Sequence, residues 1–430
     1  MKQQEQLDIL LDTPLSRELF FGVAHSLPVL DLFLSADSVS PQCPTNVTEL
    51  WLRHNDEAYS LMRLCGVDDK YLGSQGSDYE VFRAFCGVMP SLLGHPFYMR
   101  TQLMLHTLFG IDTPLNEHSC DEIWQSTAEA LSSELFGVEA ICRRLNARAL
   151  GTLYDGRTPL PPPMIPTVAL DAYMALDEKN ICRCLMELGA SVGCDVRDLS
   201  SLYAALTRVL DHAAEQGGRA ALHDIRAISA FESPNEYEAD RALKAVLGGT
   251  RAAFDERTLL LYRTQLLRFL GQQYQKRGMV CALQIDDASV SSLPKLLHYL
   301  DAADALPRTV LLAEDGCDLG ALAALCAEFS GKSGHPHLCV CPANWHSDAP
   351  ERLEQRFSDF AATFGVGNLM ALTCHDHGLV APCEHEYFRR VLCRWIGHQV
   401  QGGLLAQDVL ALSRLIERIC LTNTEHFLYQ

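Results

Sequence analysis

Thr309-Val-Leu-Leu-Ala313, Leu319-Gly-Ala-Leu-Ala-Ala-Leu-Cys-Ala-Glu-Phe329 and Leu338-Cys-Val-Cys341 follow one another as a short apolar run, a longer helical pattern and a second short apolar run. The short runs are too brief for buried helices and read as strands covered on both faces. A strand, a helix and a second strand make the repeating unit of a parallel sheet. That unit sets the expectation for the rest of the chain.

Working outward, the same texture recurs. Short apolar runs occupy Pro28–Leu34, Ala147–Tyr154, Met164–Leu170, Ala220–His223, Val280–Ile285 and Met370–Thr373, with helical patterns such as Leu199–Glu215, Leu259–Lys276 and Leu353–Phe364 between them. Eight strands alternating with helices predict an α/β fold, a (β/α)8 TIM barrel. A doubly wound open sheet is the alternative, and no Gly-x-Gly-x-x-Gly after a strand supports its dinucleotide-binding form. Thr13 with Pro14 predicts a helix start, continued by the periodic residues Leu15–Ser26. From Thr45 to Asn146 only helical patterns occur: Leu50–Cys65, Tyr79–Leu93, Phe97–Phe109, Glu122–Ser133 and Val138–Leu145. The expected division is therefore a barrel from residues 1–35 and 147–430, with a large helical insertion over 36–146 after strand 1. Pro159–Pro166 reads as a rigid loop inside the barrel.

The 430 residues, 48% hydrophobic and 21% charged, suffice for one large core plus an insertion. There is no apolar run of about 18 residues, and Met-Lys-Gln-Gln-Glu-Gln at the start lacks signal-peptide character, so a cytoplasmic protein outside the membrane is expected. The 17 cysteines lie scattered in apolar segments without zinc-ribbon spacing, as reduced core thiols do. A net charge of -19 disfavours nucleic acid as a partner. A small anion remains open as a ligand through local arginines. Near the C-terminus, Cys383–Gly397 places Tyr387, Phe388, Val391, Leu392, Trp395 and Ile396 on one half of a helix and Arg389, Arg390 and Arg394 on the other. One packed face and one basic face are expected.

His385-Glu-Tyr-Phe-Arg-Arg390, followed by Val-Leu-Cys and Ile-Gly, resembles the last barrel helix of the uronate isomerases, a branch of the amidohydrolase superfamily. Leu50-Trp-Leu52, Met62-Arg63, Asp121-Glu-Ile-Trp124, Leu206-Thr-x-x-Leu-Asp-His212, Phe269-Leu-Gly271 and Trp345 with Asp348 extend the resemblance over nearly the whole chain. It implies an eight-stranded barrel with a helical insertion after strand 1. It also implies aldose-to-ketose isomerisation of D-glucuronate and D-galacturonate, a small-molecule sugar acid as partner and a homo-oligomer.

Isomerisation by proton transfer needs a base, a group that polarises the carbonyl, and cations for the carboxylate, all at the C-terminal strand ends. After strand 1 the family carries two metal-binding histidines, where this chain has Phe33 and Ser35, with Asp31 just before. A His-Tyr pair in the insertion corresponds to Asp56 and Glu57, with His54 nearby. The family's strand 3 arginine corresponds to Ala169, so the anion clamp is missing. At strand 4 His223 matches a family histidine. At strand 5 Gln284 replaces another, able to bind a hydroxyl but not to shuttle protons. Strand 8 ends in Thr373-Cys-His-Asp-His377, where Asp376 offers a carboxylate after a shift of register.

The expected catalytic residues are thus His223 and Asp376, and the expected substrate contacts are Trp345, Arg389, Gln284 and Asp348. Arg389 equally suits a loop-capping role. No cofactor is expected at the family site, while His375 and His377 are candidate ligands for a divalent ion such as zinc. Two functional classes follow, an isomerase with a rebuilt site and a barrel that kept its fold but has weak or no catalysis, a pseudo-enzyme. The second is preferred because core motifs match and strand-end motifs do not. A metal-dependent hydrolase using the 374–385 cysteines and histidines is the last alternative.

Overall fold

The computed structural model describes residues 8–33, 44–72, 76–133, 137–153, 160–176, 179–226, 228, 230–248, 255–330, 337–342, 349–372, 380 and 382–429. Among the described residues seven strands form one sheet in the order of the sequence: β1 (Val29–Asp31), β2 (Ala147–Leu153), β3 (Met164–Val168), β4 (Ala220–Asp224), β5 (Val280–Ile285), β6 (Thr309–Ala313) and β7 (Leu338–Pro342). Their registered pairs are parallel. Sequential parallel strands joined through helices are the plan of the (β/α)8 barrel. The eighth predicted strand differs. Leu369, Met370, Ala371 and Leu372 are buried but do not form a strand, and the Ala371 amide donates to the Ile419 carbonyl at 3.1 Å.

The chain divides into two compact units, residues 1–150, 161–164 and 344–426 in the first, and 151–160, 165–343 and 427–430 in the second. In the first unit, Thr13 caps the helix Pro14–Gly22 through a reciprocal bond with Ser16. Every described element between residues 44 and 146 is helical. The expected Leu50–Cys65 helix is broken into Val47–Leu50, a 3-10 turn and Asp56–Leu64, because the Asn55 side chain accepts from the Ala58 amide and starts a new helix. The helix Met89 would have extended ends at Val88, since Pro90 removes a donor and only a 3-10 turn follows.

In the helix Pro382–Gln401 the expected basic face is largely buried as well. Arg389 and Arg390 are buried, like the aromatic residues opposite them. Arg389 donates to the carbonyls of Ala24, Leu27 and Pro28, while Arg390 pairs with Glu386 at 2.8 Å and lies 4.3 Å over the Phe20 ring. Guanidinium groups can be buried here because backbone carbonyls and a carboxylate accept from several of their donors. Arg394 does face outward and pairs with Asp12, Glu351 and Glu354.

In the second unit, the helix Leu199–Glu215 follows its predicted bounds and is capped by Asp198. The helix Glu256–Arg277 packs Tyr203 flat on Phe269, ring centroids 3.9 Å apart, and brings Gly271 against the backbone of Ala305. A Cβ on Gly271 would lie 1.8 Å from the Ala305 carbonyl oxygen, so the contact requires glycine. The described cysteines are free thiols, many of them buried. Among the described residues no helix is long and apolar enough to cross a membrane.

Candidate active site

In the second unit β4 and β5 lie in register, with His223 opposite Leu283 and Asp224 opposite Gln284. Side chains alternate along a strand, so His223 occupies one face while Asp224 and Gln284 share the other. His223 is fully buried against the helix Glu256–Arg277, where its Nε2 meets the Tyr274 hydroxyl at 2.8 Å. Its Nδ1 meets Asp171 Oδ1 at 2.7 Å, and the other Asp171 oxygen accepts the Asp224 amide at 3.0 Å. Burial holds the Tyr274 phenol protonated, raising its pKa well above the usual value. These partners assign a consistent tautomer: Nδ1–H donates to Asp171, and the phenol donates to Nε2. Both ring nitrogens are engaged, and the imidazole fixes the Asp171 carboxylate just after β3.

On the opposite face stand Asp224, Gln284 and Glu314. Arg226 donates from Nε and Nη2 to the two oxygens of Asp224, at 2.9 and 2.7 Å, and from Nη1 to Glu314. It therefore links the end of β4 to the end of β6 across β5, which carries Gln284. Burial raises the Asp224 carboxyl pKa, but the hydrogen bonds and charge of Arg226 outweigh it and hold it below the ordinary value. Arg226 is correspondingly raised, first by its hydrogen bonds to Asp224. The Arg226 side chain is 37% exposed, so this clasp meets solvent. Sequence reasoning missed it. The cue was the spacing Asp224-x-Arg226 directly after a predicted strand.

In the first unit the end of β1 is closed. The Asp31 carboxylate accepts the Phe33 amide at 3.0 Å and meets His385 Nε2 at 3.0 Å, with both side chains almost inaccessible. Phe33 is also fully buried. Glu57, from the segment aligned with the family's His-Tyr pair, joins Arg100 at 2.7 Å, and Glu384 joins the same guanidinium at 3.2 Å. Burial lowers the Arg100 pKa and the two carboxylates more than reverse this.

The resemblance implies a metal held by two imidazoles after strand 1. Of the two positions after β1, the described one does not fit: Phe33 is fully buried and has no donor atom for a metal. Among the described residues no group of three metal-binding side chains converges. Ser35, Trp345, Asp348, His375, Asp376 and His377 lie outside the described residues.

Arg389 sits at the other end of β1, holding the three carbonyls that lead into the strand. There it lines a cavity of about 270 Å³ with Phe20, Val29, Thr107, Arg144 and Glu386. Barrel chemistry belongs to the C-terminal strand ends, so this cavity lies away from it.

A family model for glucuronate isomerase matches residues 1–289 and 284–428. The uronate isomerase of Salmonella arizonae is 26% identical over 461 residues, covering 98% of each chain. Among solved structures, the uronate isomerase of Thermotoga maritima aligns with a TM-score of 0.84 at 21% identity, over 99% of both chains. The glucuronate isomerase of Caulobacter crescentus aligns with a TM-score of 0.78 at 17% identity, over 97% of this chain and 95% of that one. With the family model matching across its length and the barrel plan shared with these structures, this chain belongs to the glucuronate isomerase family.

Proposed function

We propose that this chain is a glucuronate isomerase family protein in which uronate isomerisation is weak or lost. The observation that carries the reading is the end of β1, where Phe33, which has no metal-binding or proton-transferring atom, is fully buried at a position where the family carries a histidine. Carbonyl polarisation and carboxylate anchoring are separate contributions, and losing one electrostatic stabiliser costs roughly 10² to 10³ in rate. The replacements at Phe33, Ala169 and Gln284 remove more than one. Proton transfer through a positioned group contributes on the order of 10² to 10⁴. In this reading Asp376 is the candidate acid or base. His223 acts through the Asp171 carboxylate that it orients, and Gln284 contacts a sugar hydroxyl.

The test is turnover of D-glucuronate and D-galacturonate by purified protein with zinc or manganese supplied, beside metal analysis and a His223→Ala variant checked for folding by circular dichroism. The expected result is turnover undetectable or at least about 10²-fold below that of a family member bearing both strand 1 histidines. Robust turnover abolished in a folded His223→Ala variant would instead establish a working isomerase with a rebuilt site.

A further inference from the structure

The cavity of about 270 Å³ beside β1 is lined by residues of the first unit alone, and its size is close to the lower end of small-ligand pockets, roughly 300 Å³. Phe20, Val29, Leu145 and Pro382 give it apolar walls. Two guanidinium groups line it at different depths: Arg389 is 4% exposed, whereas Arg144, at the end of the helix Val138–Arg144, reaches solvent. The acceptors that Arg389 has among the described residues are neutral. They are the carbonyls of Ala24, Leu27 and Pro28, with the Cys420 thiol beside the guanidinium, and its Nε has none. Among the described residues the carboxylate that lines the cavity is Glu386, and it is already matched. One of its oxygens accepts from Arg390 Nε and Nη2 at 3.0 and 2.8 Å, the other from the Thr107 hydroxyl at 2.8 Å. Carbonyls satisfy donors but do not cancel charge, so a positive charge stays buried against the cavity. Burial correspondingly lowers the Arg389 pKa.

We infer that this cavity binds a small organic acid, its carboxylate held by the field of Arg389 and the guanidinium of Arg144, and its short apolar body by Phe20, Val29, Leu145 and Pro382. An anion there supplies the countercharge that Arg389 lacks, where water screens the attraction less than at the surface. Arg389 holds the carbonyls that lead into β1, away from the C-terminal strand ends. The site is therefore separate from the one that would take a uronate, and it does not depend on whether isomerisation survives.

Titration calorimetry of the full chain with benzoate and benzamide, which share a ring and differ in charge, tests it. Benzoate is expected to bind with a Kd of about 1 mM or below, at least about tenfold more tightly than benzamide, and the difference should narrow as salt is raised. Arg144→Gln should weaken benzoate by about threefold to tenfold and leave benzamide unchanged. Ser26→Phe places a ring at the exposed mouth and should abolish binding of both, with circular dichroism showing that each variant is folded. Absence of benzoate binding up to about 10 mM, benzamide binding as tightly as benzoate, a benzoate affinity unmoved by Arg144→Gln, or benzoate binding that survives in a folded Ser26→Phe variant would each overturn the inference. Turnover of glucuronate by the wild-type protein would overturn only the loss of isomerisation proposed above.

Discussion

Asp31 at the end of β1 and Asp224 at the end of β4 are both carboxylates with a basic partner, placed where a barrel keeps its chemistry. Asp31 and His385 are shut away from water, whereas Asp224 and Arg226 remain 44% and 37% exposed. Burial makes the first pair a fixture, because separating it strands a charge in a medium that cannot solvate it. Exposure leaves the second with little weight in stability and free to meet a ligand. One type of pair therefore closes one strand end and leaves the other available.

The strongest way to break this contrast is at the closed end. His385→Ala leaves the Asp31 carboxylate buried with a partner removed, and is expected to cost about 3–5 kcal/mol in urea or thermal unfolding. The Asp31→Leu, His385→Leu double variant should cost less than the sum of the two single changes. If His385→Ala shifts unfolding by under about 1 kcal/mol, the end of β1 is as open as that of β4. Next in size is Tyr274→Phe, which removes the phenol from His223 Nε2 and leaves a buried ring nitrogen unpartnered. About 1–3 kcal/mol should be lost, while a change near zero would mean that water or a rearranged imidazole replaces the hydroxyl.

Such polar pairings explain why the sequence revealed the frame more readily than the site. The apolar runs marking β4 to β7 came within a residue or two of the observed strands, because each is covered on both faces and needs no long-range partner to be recognised. Leu369–Leu372 looked the same and is not a strand, since its hydrogen bonding depends on Ile419, distant in sequence. Periodicity placed Arg389 and Arg390 on a basic face without showing that this face is buried. Only the fold brings Ile9, Ala24, Leu27 and Pro28 close enough to supply carbonyls for them. His223 was found, but its direction was not, because one residue of strand alternation decides whether a side chain meets a helix or the opposite face.

The smallest expected effects belong to the open end. Glu314→Gln should change stability by less than about 1 kcal/mol, as solvent-accessible ion pairs do. A larger loss would mean that the clasp supports the strand ends. Acid sharpens the same point. The Asp224 carboxyl is depressed in the folded protein, so its contribution is present above its unfolded pKa and lost as pH falls through the lower folded value. The difference in melting temperature between wild type and Asp224→Asn should be constant near neutrality and narrow below about pH 4. A difference that widens in acid would contradict the direction of the shift.

Gly271, pressed against the Ala305 carbonyl, bears on how this protein can change over time. Every amino-acid change that one base substitution makes in a glycine codon installs a Cβ, so no single mutational step from this position avoids the collision. In a saturation library selected only for folding, position 271 should return one letter while position 226 returns many.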